Sequence, residues 1–215
     1  AEYLAVRPDQ LAAMPAGLSF EEAAALPLVS STALQALRDQ AGIQPGFAVC
    51  VNGAAGGVGS AAVRIATILG AEVTATGSPG NHDFLRELGA VGCVDYSAED
   101  ITRSKRRFDI FFDVFGNQPF DKVKPILNPE GIWVSTVLQP HVFKSVEETR
   151  NSTGRKARLV IVASRREDLD QIRGWVEAGQ LGPVIHQVYP LAQIGEAHTQ
   201  QETKHTRGKL VIRIA

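Results

Sequence analysis

The sequence has few cysteines, no long apolar run and almost no net charge, and each shortage excludes a class of protein. Two cysteines in 215 residues are too few for a disulfide framework, and no C-x-x-C pair is present to bind zinc. The formal charge of −1 does not favour a nucleic-acid partner. No apolar segment reaches membrane-spanning length and the N-terminus lacks a signal-peptide pattern, so we expect a cytoplasmic protein with no membrane partner.

Strand-like and helix-like segments alternate along the chain, which predicts an α/β protein with a parallel sheet and right-handed crossovers. The proportions of hydrophobic and charged residues, 44% and 21%, are ordinary for a globular protein. The predicted strands are 47–51, 72–76, 91–96, 108–113, 132–138, 158–163, 184–189 and 210–214. The predicted helices are 61–69, 81–88, a weak helix over 118–127, one over 164–178 and a short one around 192–203. The polar, aperiodic segment 139–157 is predicted to be a mobile loop.

Two capping-box patterns predict where helices begin. Ser19 and Glu22 have the required spacing, as do Ser164 and Glu167 before the last long helix. We expect Pro27 to interrupt the helix that follows the first of these boxes.

A glycine-rich segment after the first strand is the main functional signal. Gly53, Gly56 and Gly59 stand three residues apart, between an apolar strand and a helix. In such a unit, the unpaired N–H groups at the helix start can hold a pyrophosphate. Gly53 would permit the tight turn, Gly56 would let the backbone approach the pyrophosphate, and Gly59 would let the helix pack closely. The pattern predicts a dinucleotide site, and a purely structural turn is the alternative.

The end of the second predicted strand indicates which dinucleotide is bound. NAD sites usually place an Asp or Glu there, but this sequence has Thr76, Gly77 and Ser78. Ser78 and Asn81 can donate hydrogen bonds to a 2′-phosphate, and Arg86 could reach it. These features favour NADPH over NADH. The alternative is that Ser78 and Asn81 only cap the following helix.

Candidates for the nicotinamide side follow the fourth and fifth strands, because doubly wound sheets bind ligands at the carboxyl ends of their strands. The candidates are backbone groups at Phe115 and near Thr136. The alternative is that these residues only end their strands and bind no ligand. The five histidines show no spacing typical of a metal site, although His82 could approach the adenosine. No nucleophile or general acid can be identified, so the catalytic residues stay unassigned.

Several segments together carry a family pattern. They include E-A-A-A-L-P at 22–27, T-A-L-Q-A-L at 32–37, N-G-A-A-G-G-V-G-S-A-A-V at 52–63, T-G-S at 76–78, L-G-A at 88–90, V-E-A-G-Q-L-G-P-V-I at 176–185 and G-K-L-V at 208–211. They resemble the medium-chain dehydrogenase/reductase superfamily, in particular its zinc-independent quinone oxidoreductase branch. The resemblance covers almost the whole chain and implies a Rossmann fold that binds NADP(H).

The resemblance implies an activity. It is NADPH-dependent hydride transfer to a small-molecule substrate, either a quinone or an activated C=C or C=O bond. The alternatives are an enoyl or alkenal reductase of the same superfamily and a non-catalytic module that binds or senses NADP(H).

The resemblance also implies residue roles. The cofactor-binding set comprises Gly53, Ala55, Gly56, Gly57, Val58 and Gly59 at the pyrophosphate, Thr76, Gly77, Ser78 and Asn81 toward the 2′-phosphate, and Phe115, Thr136 and Val137 at the nicotinamide. In zinc-dependent relatives, a cysteine ligand falls where this chain has Leu28, so no metal is expected.

Finally, the resemblance divides the chain into three parts. Residues 1–20 would be a remnant of a GroES-like catalytic domain, residues 21–183 the NADP-binding domain, and residues 184–215 a segment that normally packs on the catalytic domain. Because most of the GroES-like domain is not found in the sequence, we expect the chain alone to bind NADPH but to reduce quinones poorly. Residues Arg158 to Ala163 would form an edge strand, through which we predict a homodimer.

Overall fold

The structure, a computed structural model, describes residues 4–214 and is built around a parallel six-stranded sheet. The strands are β1 (Ala48–Asn52), β2 (Glu72–Gly77), β3 (Gly92–Asp95), β4 (Phe108–Asp113), β5 (Leu127–Ser135) and β6 (Lys156–Leu159). Their order is β3-β2-β1-β4-β5-β6, and every neighbouring pair is parallel. The predicted α/β fold with a doubly wound sheet is confirmed. The strand order changes direction between β1 and β4, where sheets of this kind bind ligands.

Helices join the strands and cover both faces of the sheet. They are α1 (Phe20–Ala24), α2 (Pro27–Leu34), α3 (Gly57–Ile68), α4 (His82–Glu87), α5 (Phe120–Val123), α6 (Pro140–Thr149), α7 (Arg166–Glu177) and α8 (Ile194–Glu202). A π-helical segment, Gln35–Gln40, continues α2. The weak helix predicted over 118–127 is shorter than expected, since α5 is followed by a 3₁₀ turn and β5 already begins at Leu127.

The strand β4 shows how the core is divided between the two faces of the sheet. Ile110 and Phe112 belong to one apolar cluster, which they share with residues of α2, α3 and α7. Phe111 belongs to a second cluster together with Trp133 and Val142. Successive side chains of a strand point to opposite faces, so β4 needs apolar residues on both of its faces, and its two aspartates, Asp109 and Asp113, are hydrogen-bonded. Its nearly continuous apolar sequence therefore follows from its position in the middle of the sheet.

The prediction of a mobile loop over 139–157 is wrong. Residues 140–149 form α6, and β6 begins at Lys156. The buried side chains of α6 are Val142, Ser145 and Thr149. Only Val142 of these three is apolar, so the buried face of α6 offers few apolar residues by which the sequence could identify it. The Ser145 and Thr149 hydroxyls donate to backbone carbonyls one turn earlier in the chain.

Of three predictions about where helices begin or break, two are confirmed and one is wrong. Ser19 and Glu22 form the expected capping box at α1. The expected interruption at Pro27 is confirmed, since α1 ends at Ala24. The next helix, α2, begins at Pro27 itself, because the first helical position needs no backbone N–H donor. The capping box at Ser164 is wrong: α7 has Arg165 as its N-cap residue and no side-chain cap bond.

A second, two-stranded parallel sheet lies outside the six-stranded sheet. It consists of β7 (Ile185–Pro190) and β8 (Lys209–Arg213), with α8 between them. The change from one sheet to the other falls near the predicted boundary at residue 183. The division into parts at residues 1–20, 21–183 and 184–215 stays a prediction, and residues 1–3 and 215 lie outside the described residues. Between residues 4 and 214, no helix is long and apolar enough to cross a membrane.

Candidate functional site

The glycine turn between β1 and α3 is shaped by close backbone contacts. Gly53 has a φ of +80°, a conformation that side chains disfavour. A Cβ atom on Gly59 would lie 2.1 Å from the Gly53 carbonyl oxygen and 2.7 Å from Ala54 Cα. The predicted steric roles of Gly53 in the turn and of Gly59 in close packing are therefore confirmed. A Cβ on Gly56 would have its nearest neighbour at 3.7 Å, so this side of the turn is open.

The start of α3 provides the chemistry that a pyrophosphate needs. Gly56 is the N-cap residue and makes no side-chain cap bond, and the first helical bond runs from the Ser60 N–H to the Gly56 oxygen (2.8 Å). Helix geometry leaves the N–H groups of Gly57, Val58 and Gly59 without intrahelical acceptors. The first turn contains no acidic residue. The open space at Gly56 and these N–H groups fit an anionic diphosphate.

A buried hydrogen-bond network lies beneath the turn and joins the ends of β1, β2 and β4. The Asn52 side-chain amide donates to Asp113 Oδ1 (2.8 Å) and to Asn117 Oδ1 (2.7 Å). The Thr76 hydroxyl donates to Asn52 Oδ1 (2.8 Å), and the Gly53 N–H donates to Thr76 Oγ1 (3.1 Å). Thr76 is thus a positioning residue for the turn, with its side chain directed beneath it.

The Asp113 carboxylate anchors this network by accepting hydrogen bonds. It also accepts the N–H groups of Gly116 (2.9 Å) and Gln118 (3.0 Å), which fixes the loop after β4. Burial raises the pKa of Asp113, although its hydrogen bonds oppose that shift. Sequence reasoning missed the network formed by Asn52 and Asp113. The available signal was the presence of polar residues at the carboxyl ends of neighbouring buried strands.

The segment after β2 contains the residues predicted to meet a 2′-phosphate. Gly77 ends β2, and the Asn81 amide donates to Ser78 Oγ (3.0 Å). Neither Ser78 nor Asn81 makes a side-chain cap bond, so capping does not explain their presence. Arg86 forms an exposed ion pair with Asp83 (2.8 Å) on α4. The nearby His82 ring lies 3.3 Å from the Gly77 oxygen.

A residue that the sequence analysis missed, Arg207, reaches this same segment. Its Nε donates to Asn81 Oδ1 (3.0 Å) and its Nη2 donates to the Gly80 oxygen (3.0 Å). The guanidinium also lies over the Phe84 ring, 4.8 Å from its centre. Arg207 is 126 residues from Asn81 in the chain, and no local pattern in the sequence relates the two.

The predicted nicotinamide-side residues lie together beside the glycine turn. A Cβ on Gly53 would meet Phe115 Cβ at 3.0 Å, and a Cβ on Gly116 would meet Val137 Cγ1 at 2.6 Å. The Thr136 hydroxyl donates to the Val114 oxygen (3.1 Å) and so ties the end of β5 to the end of β4. The structure thus brings all the predicted cofactor residues to the carboxyl edge of the sheet.

Neither cysteine has the surroundings of a reactive or metal-binding thiolate. Cys50 is fully buried, and burial raises the pKa of its thiol. Burial also raises the pKa of Cys93. Over residues 4–214, no group of three or more His, Cys, Asp or Glu side chains could hold a metal ion. The position that would carry a cysteine in zinc-dependent relatives, Leu28, is exposed on α2.

Comparison with known proteins gives consistent matches. Residues 88–212 match a family model described as zinc-binding dehydrogenase. The chain is 35% identical to the 2-methylene-furan-3-one reductase of Solanum lycopersicum, over 99% of this chain and 52% of that protein. It is 32% identical to the chloroplastic NADPH-dependent alkenal/one oxidoreductase of Arabidopsis thaliana, over 99% of this chain and 52% of that protein.

A solved structure shows the same architecture. The quinone oxidoreductase of Coxiella burnetii superposes with a TM-score of 0.88 at 32% identity, over 97% of this chain and 65% of that one. The chain spans about half the length of these two curated relatives and 65% of that solved chain.

Proposed function

Because this chain belongs to the zinc-binding dehydrogenase family of the medium-chain dehydrogenase/reductase superfamily, on its quinone oxidoreductase-like side, we propose that it is the NADP(H)-binding part of a reductase. The reaction would transfer hydride to a quinone or to an activated C=C or C=O bond. One observation carries the proposal. The glycine turn and the start of α3 lie at the carboxyl end of β1, where the strand order of the sheet changes direction.

Two groups of residues would hold the cofactor. The N–H groups of Gly57, Val58 and Gly59 would bind the pyrophosphate, with Gly56 leaving room for its approach. Phe115 and Val137 would lie on the nicotinamide side. When bound, the nicotinamide supplies the hydride, and the protein sets its distance and angle to the substrate. The network of Asn52, Thr76 and Asp113 holds the glycine turn and the loop after β4 in fixed positions relative to each other.

The preference for NADPH rests on the end of β2. No carboxylate occurs in the segment from Thr76 to Asn81, so no negative charge there would repel a 2′-phosphate. A similar protein from Arabidopsis thaliana is named as NADPH-dependent. We expect titration of the chain with the two reduced cofactors to give tighter binding of NADPH. Equal or tighter binding of NADH would contradict the cofactor assignment.

Turnover assays separate the rival activities. Ortho-quinones and α,β-unsaturated carbonyl compounds would be tested with NADPH on this chain and on a form extended by an N-terminal GroES-like domain. We expect the chain alone to bind NADPH with little turnover and the extended form to reduce one substrate class. Reduction of unsaturated carbonyls only would favour the alkenal reductase alternative. NADPH binding without turnover in both forms would favour a sensing module.

Zinc independence, compartment and assembly complete the proposal. The chain would work without metal, in a reducing compartment such as the cytosol, where its two cysteines would stay reduced. We also propose a homodimer through residues 158–163, of which only Arg158 and Leu159 belong to the edge strand β6, since that strand runs from Lys156 to Leu159. Ile161 is 71% exposed there. At this edge the Ala157 N–H already donates to Thr149 Oγ1. Pairing of the strand with a second copy of the chain would therefore begin after Ala157.

A further inference from the structure

We propose that Arg207 selects the cofactor by binding a 2′-phosphate together with Ser78 and Asn81. This inference rests on the proposed function, since it assumes that the glycine turn holds a dinucleotide. It adds a specificity-determining residue from the C-terminal part of the chain, far in sequence from the turn.

The backbone fixes the position of Arg207 beside the glycine turn. The next residue, Gly208, donates its N–H to the Ala55 oxygen (2.9 Å) and pairs with Gly56 in an isolated parallel bridge. Gly208 has a φ of +69°, and a Cβ there would lie 2.2 Å from the Val184 oxygen. Only glycine fits this position without a shift of the backbone. The path of the chain therefore places Arg207 between the turn and the end of β2.

The side chain of Arg207 is oriented by three neighbours. Its donors contact the Gly80 oxygen and Asn81 Oδ1, and its planar group lies over the Phe84 ring. Asn81 in turn donates to Ser78 Oγ. Arg207, Asn81 and Ser78 thus form one hydrogen-bonded series along the segment after β2. Because guanidinium has five N–H donors, donors remain for a ligand after these two contacts.

The charges around this segment favour a phosphate. Arg207 makes no ion pair with any Asp or Glu in the part of the chain that the structure describes. By contrast, Arg86, the residue suggested by the sequence, is paired with Asp83. Asp95, the β3 partner of Gly77, brings a negative charge near this segment, and its carboxylate accepts hydrogen bonds from the Ser97 N–H and hydroxyl. Lys204 and Lys209 flank Arg207 in the sequence and add positive charge. An exposed, oriented and uncompensated arginine at this point suits a 2′-phosphate, which it can bind through two donors at once.

The test compares Arg207→Gln with Arg86→Gln, a matched change at another exposed arginine of the same region. Dissociation constants for NADPH and NADH are measured by isothermal titration calorimetry on the wild-type chain and both variants. We expect Arg207→Gln to weaken NADPH binding about 10- to 100-fold and to leave NADH binding within about twofold, because the 2′-phosphate is the only part of the cofactor that Arg207 would contact. Arg86→Gln should not change the ratio of the two constants. Arg207→Lys should restore part of the preference, since it keeps the charge but not the two-donor geometry.

The outcomes distinguish this inference from the proposed function. If the wild-type chain prefers NADPH and Arg207→Gln keeps that preference, the role of Arg207 is refuted while the cofactor assignment stands. If Arg207→Gln weakens both cofactors equally, Arg207 supports the turn and does not read the phosphate, which also refutes the inference. If the wild-type chain prefers NADH or binds neither cofactor, the cofactor assignment itself fails. Thermal unfolding without cofactor verifies that the variants are folded.

Discussion

Substitution of Gly59 by alanine tests whether this position must be glycine because the backbone packs closely around it. The added methyl group would lie 2.1 Å from the Gly53 oxygen and 2.7 Å from Ala54 Cα. Ordinary van der Waals contact begins near 3.4 Å, so the shortfall exceeds 1 Å. Both opposing atoms belong to the backbone, which cannot rotate away as a flexible side chain could. The turn and the start of α3 must therefore separate.

The size of the effect follows from the cost of overpacking a well-packed site. Such changes typically cost about 1–3 kcal/mol, and a clash with backbone should fall near the upper value. For a chain of this length, each 1 kcal/mol lowers the melting temperature by about 2–4 °C. We therefore expect Gly59→Ala to lower the melting temperature by about 6–12 °C. Because the N–H groups at the start of α3 move with the helix, NADPH binding should also weaken.

Gly56→Ala is the matched control, because it adds the same methyl group on the open side of the turn. Its nearest neighbour would be 3.7 Å away, and the φ of −72° and ψ of 177° suit alanine. We expect a stability change of no more than about 1 kcal/mol, since the preference of the N-cap position for glycine over alanine is partly offset by the reduced flexibility of the unfolded chain. NADPH binding should nevertheless weaken by about tenfold or more, because the methyl group occupies the space for the pyrophosphate.

Calorimetric unfolding and NADPH titration of both variants supply the readouts. We expect Gly59→Ala to lose stability and Gly56→Ala to lose NADPH binding with nearly unchanged stability. An unchanged melting temperature for Gly59→Ala would refute the packing account. Wild-type NADPH affinity in Gly56→Ala would refute the placement of the pyrophosphate.

Two further predictions concern the buried network and the sheet edge. Asn52→Asp would place a second carboxylate 2.8 Å from Asp113 and should cost about 3–5 kcal/mol at pH 7. Because the shared site raises the folded-state pKa, this loss should shrink as the pH falls and grow as it rises through that pKa, and urea unfolding at pH 5 and pH 8 measures the difference. At the edge, Ile161→Asp should convert a dimer to a monomer in light scattering, and a wild-type chain that is monomeric at high concentration would contradict the dimer.

Much of the fold could be predicted because its signals are local. A strand buried on both faces needs apolar residues on each face, and Phe108 to Asp113, with four apolar residues and two aspartates, show that pattern. The three-residue spacing of Gly53, Gly56 and Gly59 is likewise a local signal, because the backbone of this turn requires residues without a Cβ atom. The helix α6 was missed because its buried face includes Ser145 and Thr149, whose hydroxyls bond within the chain instead of contributing an apolar stripe.

The sequence by itself determined the succession of strands along the chain, the glycine turn and the absence of a carboxylate from Thr76 to Asn81. Each of these depends on the conformational preferences or polarity of residues close together in the chain. Only the tertiary structure decided that Asn52 meets Asp113 and that Arg207, not Arg86, lies beside Asn81. These contacts join residues 61 and 126 positions apart. They arise from the packing of strands and of the C-terminal segment, which no local periodicity records.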